Sequence, residues 1–127
     1  ANGDIADLAS AWAARRASGC HAVMVGRAAQ GRPWLLAQIA AGLAGRDQPP
    51  APSGAALSDL IAAHYEAMLS FYGLDLGLRV ARKHLAWYCE AMGADAARRE
   101  LVRLDCHRAV LSRIAALARH APVRDAA

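Results

Sequence analysis

The first part of the chain is organised by residues 23–34, which read VMVGRAAQGRPW. The apolar run at 22–25 predicts a short buried strand that leads directly into a turn at Gly26. Pro33 suits the start of a new helix, because its fixed φ and missing N–H cost nothing in a first helical turn. A turn between a strand and a helix leaves several backbone N–H groups free, which favours an anion such as phosphate. A glycine turn that binds nothing is the alternative.

A second turn-forming cluster, ANGD at residues 1–4, lies at the start of the chain. A helix is predicted over residues 5–17, with Asp4 as its N-terminal cap and Gly19 at its end. Turn, helix, strand, turn and helix in this order are typical of parallel β/α units, which bind ligands at the carboxyl ends of their strands. The alternative is that the cluster is only a turn and a helix cap.

The composition indicates a small globular protein. The chain has 127 residues, of which 56% are hydrophobic, enough for one domain with a modest core or two small units. No apolar run approaches the roughly 18 residues that a membrane span needs, and the start lacks the basic region of a signal peptide. The three cysteines are widely spaced without a CxxC pair, which indicates reduced thiols. We therefore expect a cytoplasmic protein without membrane or metal partners.

Positive charge is concentrated in the second half of the chain. Residues 1–78 carry five arginines against six acidic residues, a net charge of −1. Residues 79–127 carry nine arginines and one lysine against five acidic residues, a net charge of +5. Such asymmetry indicates a polyanionic partner, with a solvated basic face as the alternative.

A proline-rich segment separates two parts of the chain. Three prolines fall within residues 49–52, which precludes a helix there and favours an extended linker. Beyond it, apolar residues recur at the i, i+3, i+4, i+7 spacing of amphipathic helices. We predict four such helices, packed as a small antiparallel bundle, over residues 57–73, 76–92, 95–104 and 106–120.

A basic face is predicted on the second of these helices, where Arg79, Arg82 and Lys83 lie away from the apolar stripe. Arg79 and Lys83 are like charges at i, i+4, which is unfavourable in an isolated helix. Arg99 and Arg103 repeat that arrangement on the next predicted helix. Repeated repulsion favours an anionic partner such as RNA. The alternative is that long arginine stems cover apolar surface while their charged ends stay solvated.

Three motifs carry a resemblance to a known family: ANGDI, VMVGRAAQGRPW and RVARKHLAWY. They resemble the carboxyl-terminal portion of the bacterial tRNA-dihydrouridine synthases of the B-type branch, from Ala1 to about Tyr88 and more loosely beyond. The resemblance implies an α/β part followed by an all-α part. These would be the last βα units of an FMN-binding TIM barrel over residues 1–46, a linker over 47–56 and a helical tRNA-binding domain over 57–122. It also implies a piece of a longer protein, since the family's substrate cleft and catalytic cysteine lie upstream.

The resemblance implies a flavin enzyme that reduces the C5=C6 bond of uridines in tRNA, with NADPH as the reductant of FMN. None of Cys20, Cys89 and Cys106 matches the family's catalytic cysteine, so this chain alone is expected to be inactive, and it is expected to be a monomer. The residues implied at the FMN site are Asn2, Gly3, Asp4, Gly26 and Arg27. The residues implied in tRNA contact are Arg79, Arg82, Lys83 and His84.

Two other functions are compatible with these residues. One is a non-enzymatic basic helical module that binds nucleic acid, although the helices offer little Asn or Gln for reading bases. The other is an FMN-dependent TIM barrel acting on a small molecule, which leaves the basic helices without a role. His64, Trp87 and Tyr88 are expected to pack in the core or between domains, with stacking on bases as the alternative. Because two βα units cannot close a barrel, we also predict that the helical part folds better than residues 1–40.

Overall fold

The computed structural model describes residues 1–119, and within them it is mostly helical. The chain divides into two compact units between Ala51 and Pro52, which we call unit 1 and unit 2. Unit 1 holds two α-helices and a 3-10 turn, and unit 2 holds four α-helices. The elements are α1 (Leu8–Ser18), the 3-10 turn (Arg27–Ala29), α2 (Leu35–Leu43), α3 (Gly54–Tyr72), α4 (Leu74–Ala91), α5 (Asp95–Leu101) and α6 (His107–Ala118).

The strand predicted over residues 22–25 is reduced to a single isolated parallel bridge between Asn2 and Met24. The Met24 N–H donates to the Ala1 carbonyl at 2.8 Å, and the Ala1 amino group donates to the Ala22 carbonyl at 2.7 Å. A strand persists only in a sheet with neighbouring strands, and here the bridge pairs it with the single residue Asn2. The predicted strand is therefore wrong, and the described residues contain no strand beyond this bridge; they are mostly helical, as expected for this part of the predicted fold.

Helix α1 begins later than predicted because its N-terminal cap is Asp7 and not Asp4. The Asp7 carboxylate accepts from the Ser10 N–H at 2.7 Å, and the Ser10 hydroxyl accepts from the Asp7 N–H at 3.1 Å. This reciprocal arrangement is a capping box, and the Ser10 N–H is the main reason that the pKa of Asp7 is lowered. Gly19 closes the helix at φ 65°, as predicted.

Unit 1 has a small core between α1 and α2. Its buried apolar residues include Ile5, Ala11, Leu35 and Ile39, and Val23 and Val25 pack against them partly buried. Two large apolar side chains, Met24 and Leu36, are about half exposed. Helix α2 starts at Leu35 instead of Pro33, which lies two residues earlier in a series of tight turns.

Unit 2 begins earlier than the predicted helix at residue 57. Helix α3 starts at Gly54, so residues 54–56 are helical and not part of a linker. Ser53 occupies the N-cap position without a side-chain hydrogen bond. Gly73 ends α3 as predicted, and with φ 76° it is the single residue that joins α3 to α4.

The core of unit 2 forms where α3 packs on α4 and α6, and where α4 packs on α5. Gly77 permits a close approach of α4 to α3, because a Cβ there would meet the Leu69 Cα at 2.8 Å. The antiparallel arrangement of a bundle stays a prediction. The buried side chains are those of Leu57, Ile61, Tyr65, Met68, Ala81, Leu85, Tyr88, Cys89, Met92, Ala97, Leu101, Val110 and Ile114.

The ends of the last two helices differ from the prediction. Helix α5 stops at Leu101, so Arg103 lies beyond it and does not form a helical i, i+4 pair with Arg99. The predicted helix end at 120 and the predicted domain end at 122 lie outside the described residues. Across residues 1–119, no helix combines the length and apolar character needed to cross a membrane.

Candidate functional site

The five residues predicted at the FMN site line one open cleft in unit 1, with a volume of about 690 Å³. The parallel bridge between Asn2 and Met24 holds the first turn beside the second, which places both turns on the same cleft. Arg32, which was not among the predicted residues, also lines it. The lining residues among the predicted set are Asn2, Gly3, Asp4, Gly26 and Arg27.

The backbone at the two turns has an unusual conformation. Gly3 has φ 135° and Asp4 has φ 43°, and Asp4 is the one non-glycine residue with positive φ among those described. Gly26 precedes the 3-10 turn, and its carbonyl accepts from the Ala29 N–H at 3.1 Å. The amides at the start of such a turn have no acceptor within the turn, so they are available to a ligand.

The cleft carries one more positive than negative charge, from Arg27 and Arg32 against Asp4. The Arg27 guanidinium contacts the Asp4 carboxylate at 2.5 Å, and both side chains are more than four-fifths exposed. An exposed ion pair contributes little stability, so an incoming anion can compete for Arg27. A guanidinium matches the geometry of a phosphate, so the donors of this cleft suit a phosphate group.

The four residues predicted to contact tRNA lie on α4 but in different environments. Arg79 and Lys83 are exposed, and among residues 1–119 neither makes an ion pair. Arg82 forms an ion pair with Asp105, so its charge is neutralised within unit 2. The structure therefore leaves Arg79 and Lys83 as the two available cations of the predicted set.

His84 is half-buried in a cluster of rings between α3 and α4. Its ring lies edge-to-face with those of His64 and Trp87, each at 5.1 Å between centroids. The His64 Nδ1 lies 3.0 Å from the hydroxyl of Tyr88, whose pKa burial raises to about 12. Burial lowers the pKa of His84, and its neighbours His64 and Lys83 lower it further. The charged form of His84 is thus disfavoured where it stands, in a ring cluster that also includes His64 and Trp87.

Two features were missed by the sequence reasoning. The Lys83 ammonium lies 4.8 Å from the centroid of the Trp87 ring, a cation–π contact that the i, i+4 spacing of the two residues could have indicated. Phe71 and Tyr72 are exposed beside Gly73. Two aromatic residues directly before a helix-ending glycine could have indicated this exposed position.

The cysteines are unpaired, and the potential metal ligands form no metal centre in the described residues. Cys20, Cys89 and Cys106 are all free thiols, and none of them lines the cleft. Burial raises the pKa of Cys89 to about 11, which makes it a poor nucleophile. Residues 1–119 contain no group of three or more His, Cys, Asp or Glu side chains placed to hold a metal ion.

The family model for dihydrouridine synthase (Dus) matches residues 1–121, which includes both turns of the cleft and all of α4. The chain belongs to the dihydrouridine synthase family. The family assignment from the sequence motifs is thereby confirmed.

Curated members of the family support the same assignment. The chain is 64% identical over 94 residues to a probable tRNA-dihydrouridine synthase of Rhodobacter capsulatus, an alignment that covers 74% of this chain and 29% of the relative. It is 48% identical over 90 residues to tRNA-dihydrouridine synthase B of Xanthomonas axonopodis pv. citri, covering 71% of this chain and 27% of the relative. It is 43% identical over 104 residues to a probable tRNA-dihydrouridine synthase of Rickettsia prowazekii, covering 82% of this chain and 32% of the relative. The chain thus spans about 30% of the length of these relatives.

Proposed function

We propose that this chain is the carboxyl-terminal portion of a tRNA-dihydrouridine synthase of the cytoplasm. The complete enzyme would reduce the C5=C6 bond of uridines in tRNA, using NADPH through FMN. Unit 1 would contribute part of the site for the FMN phosphate, as the end of a TIM barrel, and unit 2 would bind tRNA. The single observation that carries the proposal is that the five residues assigned to FMN from the motifs all line one cleft.

The phosphate of FMN would be held by Arg27 and by the backbone of the two turns. Gly3 tolerates its φ of 135° because it has no side chain, and this conformation aligns the backbone of the first turn. Gly26 has open space around it, since a Cβ there would meet nothing within 4 Å, so the turn is accessible. Reduced FMN would supply a hydride to the uridine ring, and the residues of this chain would help to position the cofactor.

The tRNA would be held by the exposed cations of α4. Arg79 and Lys83 lie one helical turn apart on α4. Their spacing permits contact with neighbouring phosphates of one RNA backbone, and such contacts release counterions. Arg82 would join them only after exchanging Asp105 for a phosphate. His84 would act indirectly, because it packs against Trp87, the ring that carries the Lys83 ammonium.

The FMN assignment is tested by comparing the affinity of the 127-residue chain for FMN and for riboflavin, which lacks the phosphate. We expect FMN to bind more tightly, by roughly tenfold or more for a charge-assisted contact. An Arg27→Gln variant should lose most of that difference. Arg46→Gln is the matched control, because Arg46 is exposed and does not line the cleft. Equal affinity for the two flavins would contradict the assignment.

A further inference from the structure

An exposed apolar patch surrounds Gly73, where α3 passes into α4. The exposed fractions are 82% for Phe71, 44% for Tyr72, 58% for Leu74 and 45% for Leu76. The rings of Phe71 and Tyr72 contact each other edge-to-face, with their centroids 4.8 Å apart. Single exposed apolar residues are ordinary, but four within six positions of one turn indicate a binding surface.

The patch continues into the two available cations of α4. Leu76, Arg79 and Lys83 are spaced i, i+3 and i+7, so they lie along one face of the helix. Lys83 is held over the Trp87 ring at 4.8 Å, which orders its ammonium at the far end of this face. Asp75, in the first turn of α4, is spaced i, i+4 with Arg79 and lies on the same side of the helix, but the two make no ion pair among the described residues. The chain thus places two exposed rings directly before the first turn of α4 and two exposed cations farther along that helix.

This combination fits single-stranded RNA better than a protein partner. Lysine is depleted from the centres of protein interfaces, where an unpaired ammonium is costly to bury. Surfaces that bind unpaired nucleic acid combine cations that follow the backbone with aromatic rings on which bases stack. A base-paired helix presents no base faces to such rings, whereas loops and bulges do.

We propose that Phe71 and Tyr72 stack on unpaired bases of RNA whose phosphates lie along Arg79 and Lys83. This inference rests on the proposed tRNA-binding role of unit 2 and adds the part of the RNA that it contacts. The rings would bind nucleotides of an open loop, and the cations would bind the backbone that leads to them.

The test measures binding of single-stranded oligouridylate, and of its duplex with oligoadenylate, to the full 127-residue chain. Phe71→Leu keeps an apolar side chain of similar reach but removes the ring. We expect Phe71→Leu to weaken oligouridylate binding about fivefold or more, as loss of one stacked base does, and to leave duplex binding unchanged. Phe71→Trp should bind at least as well as the native chain, because it restores a ring.

Controls separate this inference from the proposed function. Leu36→Ala removes an exposed apolar side chain of unit 1 and should leave both affinities unchanged. Salt-dependent RNA binding that is reduced by Arg79→Gln with Lys83→Gln, but unaffected by Phe71→Leu, would overturn the stacking inference and leave the proposed function standing. No binding of either RNA at low salt would overturn both. Self-association of the chain that Phe71→Leu abolishes would identify the patch as an interface between copies and also overturn the stacking inference.

Discussion

Unit 1 and unit 2 differ in what their folding requires. Among the described residues, unit 2 buries thirteen apolar side chains across four helices, whereas unit 1 buries five across two helices and a bridge. Helices satisfy their own backbone hydrogen bonds, so a few amphipathic helices can bury a shared core. A β/α unit needs neighbouring strands to do the same. The difference shows why the helical part is expected to be the more self-sufficient of the two.

A matched pair of isoleucines tests this difference between the two units, and it should give the largest change in stability. Ile61 in α3 and Ile39 in α2 are both 2% exposed. Ile61→Ala should lower the free energy of unfolding of unit 2 by about 2–5 kcal/mol, the usual cost of a cavity in a packed core. Ile39→Ala should leave the unfolding of unit 2 unchanged. Urea unfolding followed by circular dichroism measures both, and a large effect of Ile39→Ala on the main transition would contradict the comparison.

A pair of glycines compares helix contacts in the two units. A Cβ at Gly77 would meet backbone atoms of α3, at Leu69 and Met68, whereas a Cβ at Gly42 would meet only the end of the Leu8 side chain. Gly77→Ala should therefore destabilise unit 2 by about 1–3 kcal/mol, since backbone cannot move aside easily. Gly42→Ala should be close to neutral, because Leu8 can change rotamer while alanine favours the helix. Equal losses in thermal unfolding would show that the two contacts are equally rigid.

The ion pair between Arg82 and Asp105 gives a smaller effect on RNA binding. Asp105→Asn removes an acidic residue and frees Arg82 for a phosphate. We expect tighter binding and a salt dependence steeper by roughly one unit of slope, the effect of one added phosphate contact. Glu90→Gln removes the same charge from an exposed position of α4 and is the matched control. Equal effects of the two variants would show that only net charge matters and that Arg82 has no specific role.

The histidines of unit 2 predict a modest loss of stability in mild acid. Burial is the main cause that lowers the pKa of both His64 and His84 in the folded chain. The unfolded chain therefore binds more protons as the pH falls through about 6.5, and the folded state loses stability there. His64→Gln should flatten the dependence of the unfolding midpoint on pH between about 7 and 5.5. His21→Gln, at an exposed position of unit 1, should leave it unchanged, and a reversed slope would contradict the sign.

The helices could be predicted from the sequence where their signals are local. The apolar spacing around Leu57, Ile61 and Tyr65 identified α3, and Gly73 correctly marked its end. The predicted start of α1 was wrong because a less common cap decides it. This cap is the Asp7–Ser10 capping box, which lacks the usual Glu or Gln at the third helical position. Local patterns of this kind require no knowledge of the rest of the chain.

The remaining features depend on contacts between distant residues. The predicted strand failed because sheet formation is decided by neighbours and not by the apolar run at residues 22–25. Arg82 was grouped with Arg79 and Lys83 by helical spacing, but its ion pair with Asp105 joins residues 23 positions apart. The cleft residues were assigned through family motifs, and the bridge between Asn2 and Met24 accounts physically for their meeting.

The assignment of tRNA binding to α4 is tested most directly by measuring how the 127-residue chain binds tRNA across a salt series. We predict binding that weakens steeply with salt, with a slope that falls by roughly one unit for each cation removed in Arg79→Gln and Lys83→Gln. Arg15→Gln with Arg16→Gln, which removes the same charge from α1 in unit 1, should change the slope less. Absence of binding at low salt, or equal loss of slope in the two double variants, would contradict the assignment of tRNA binding to α4.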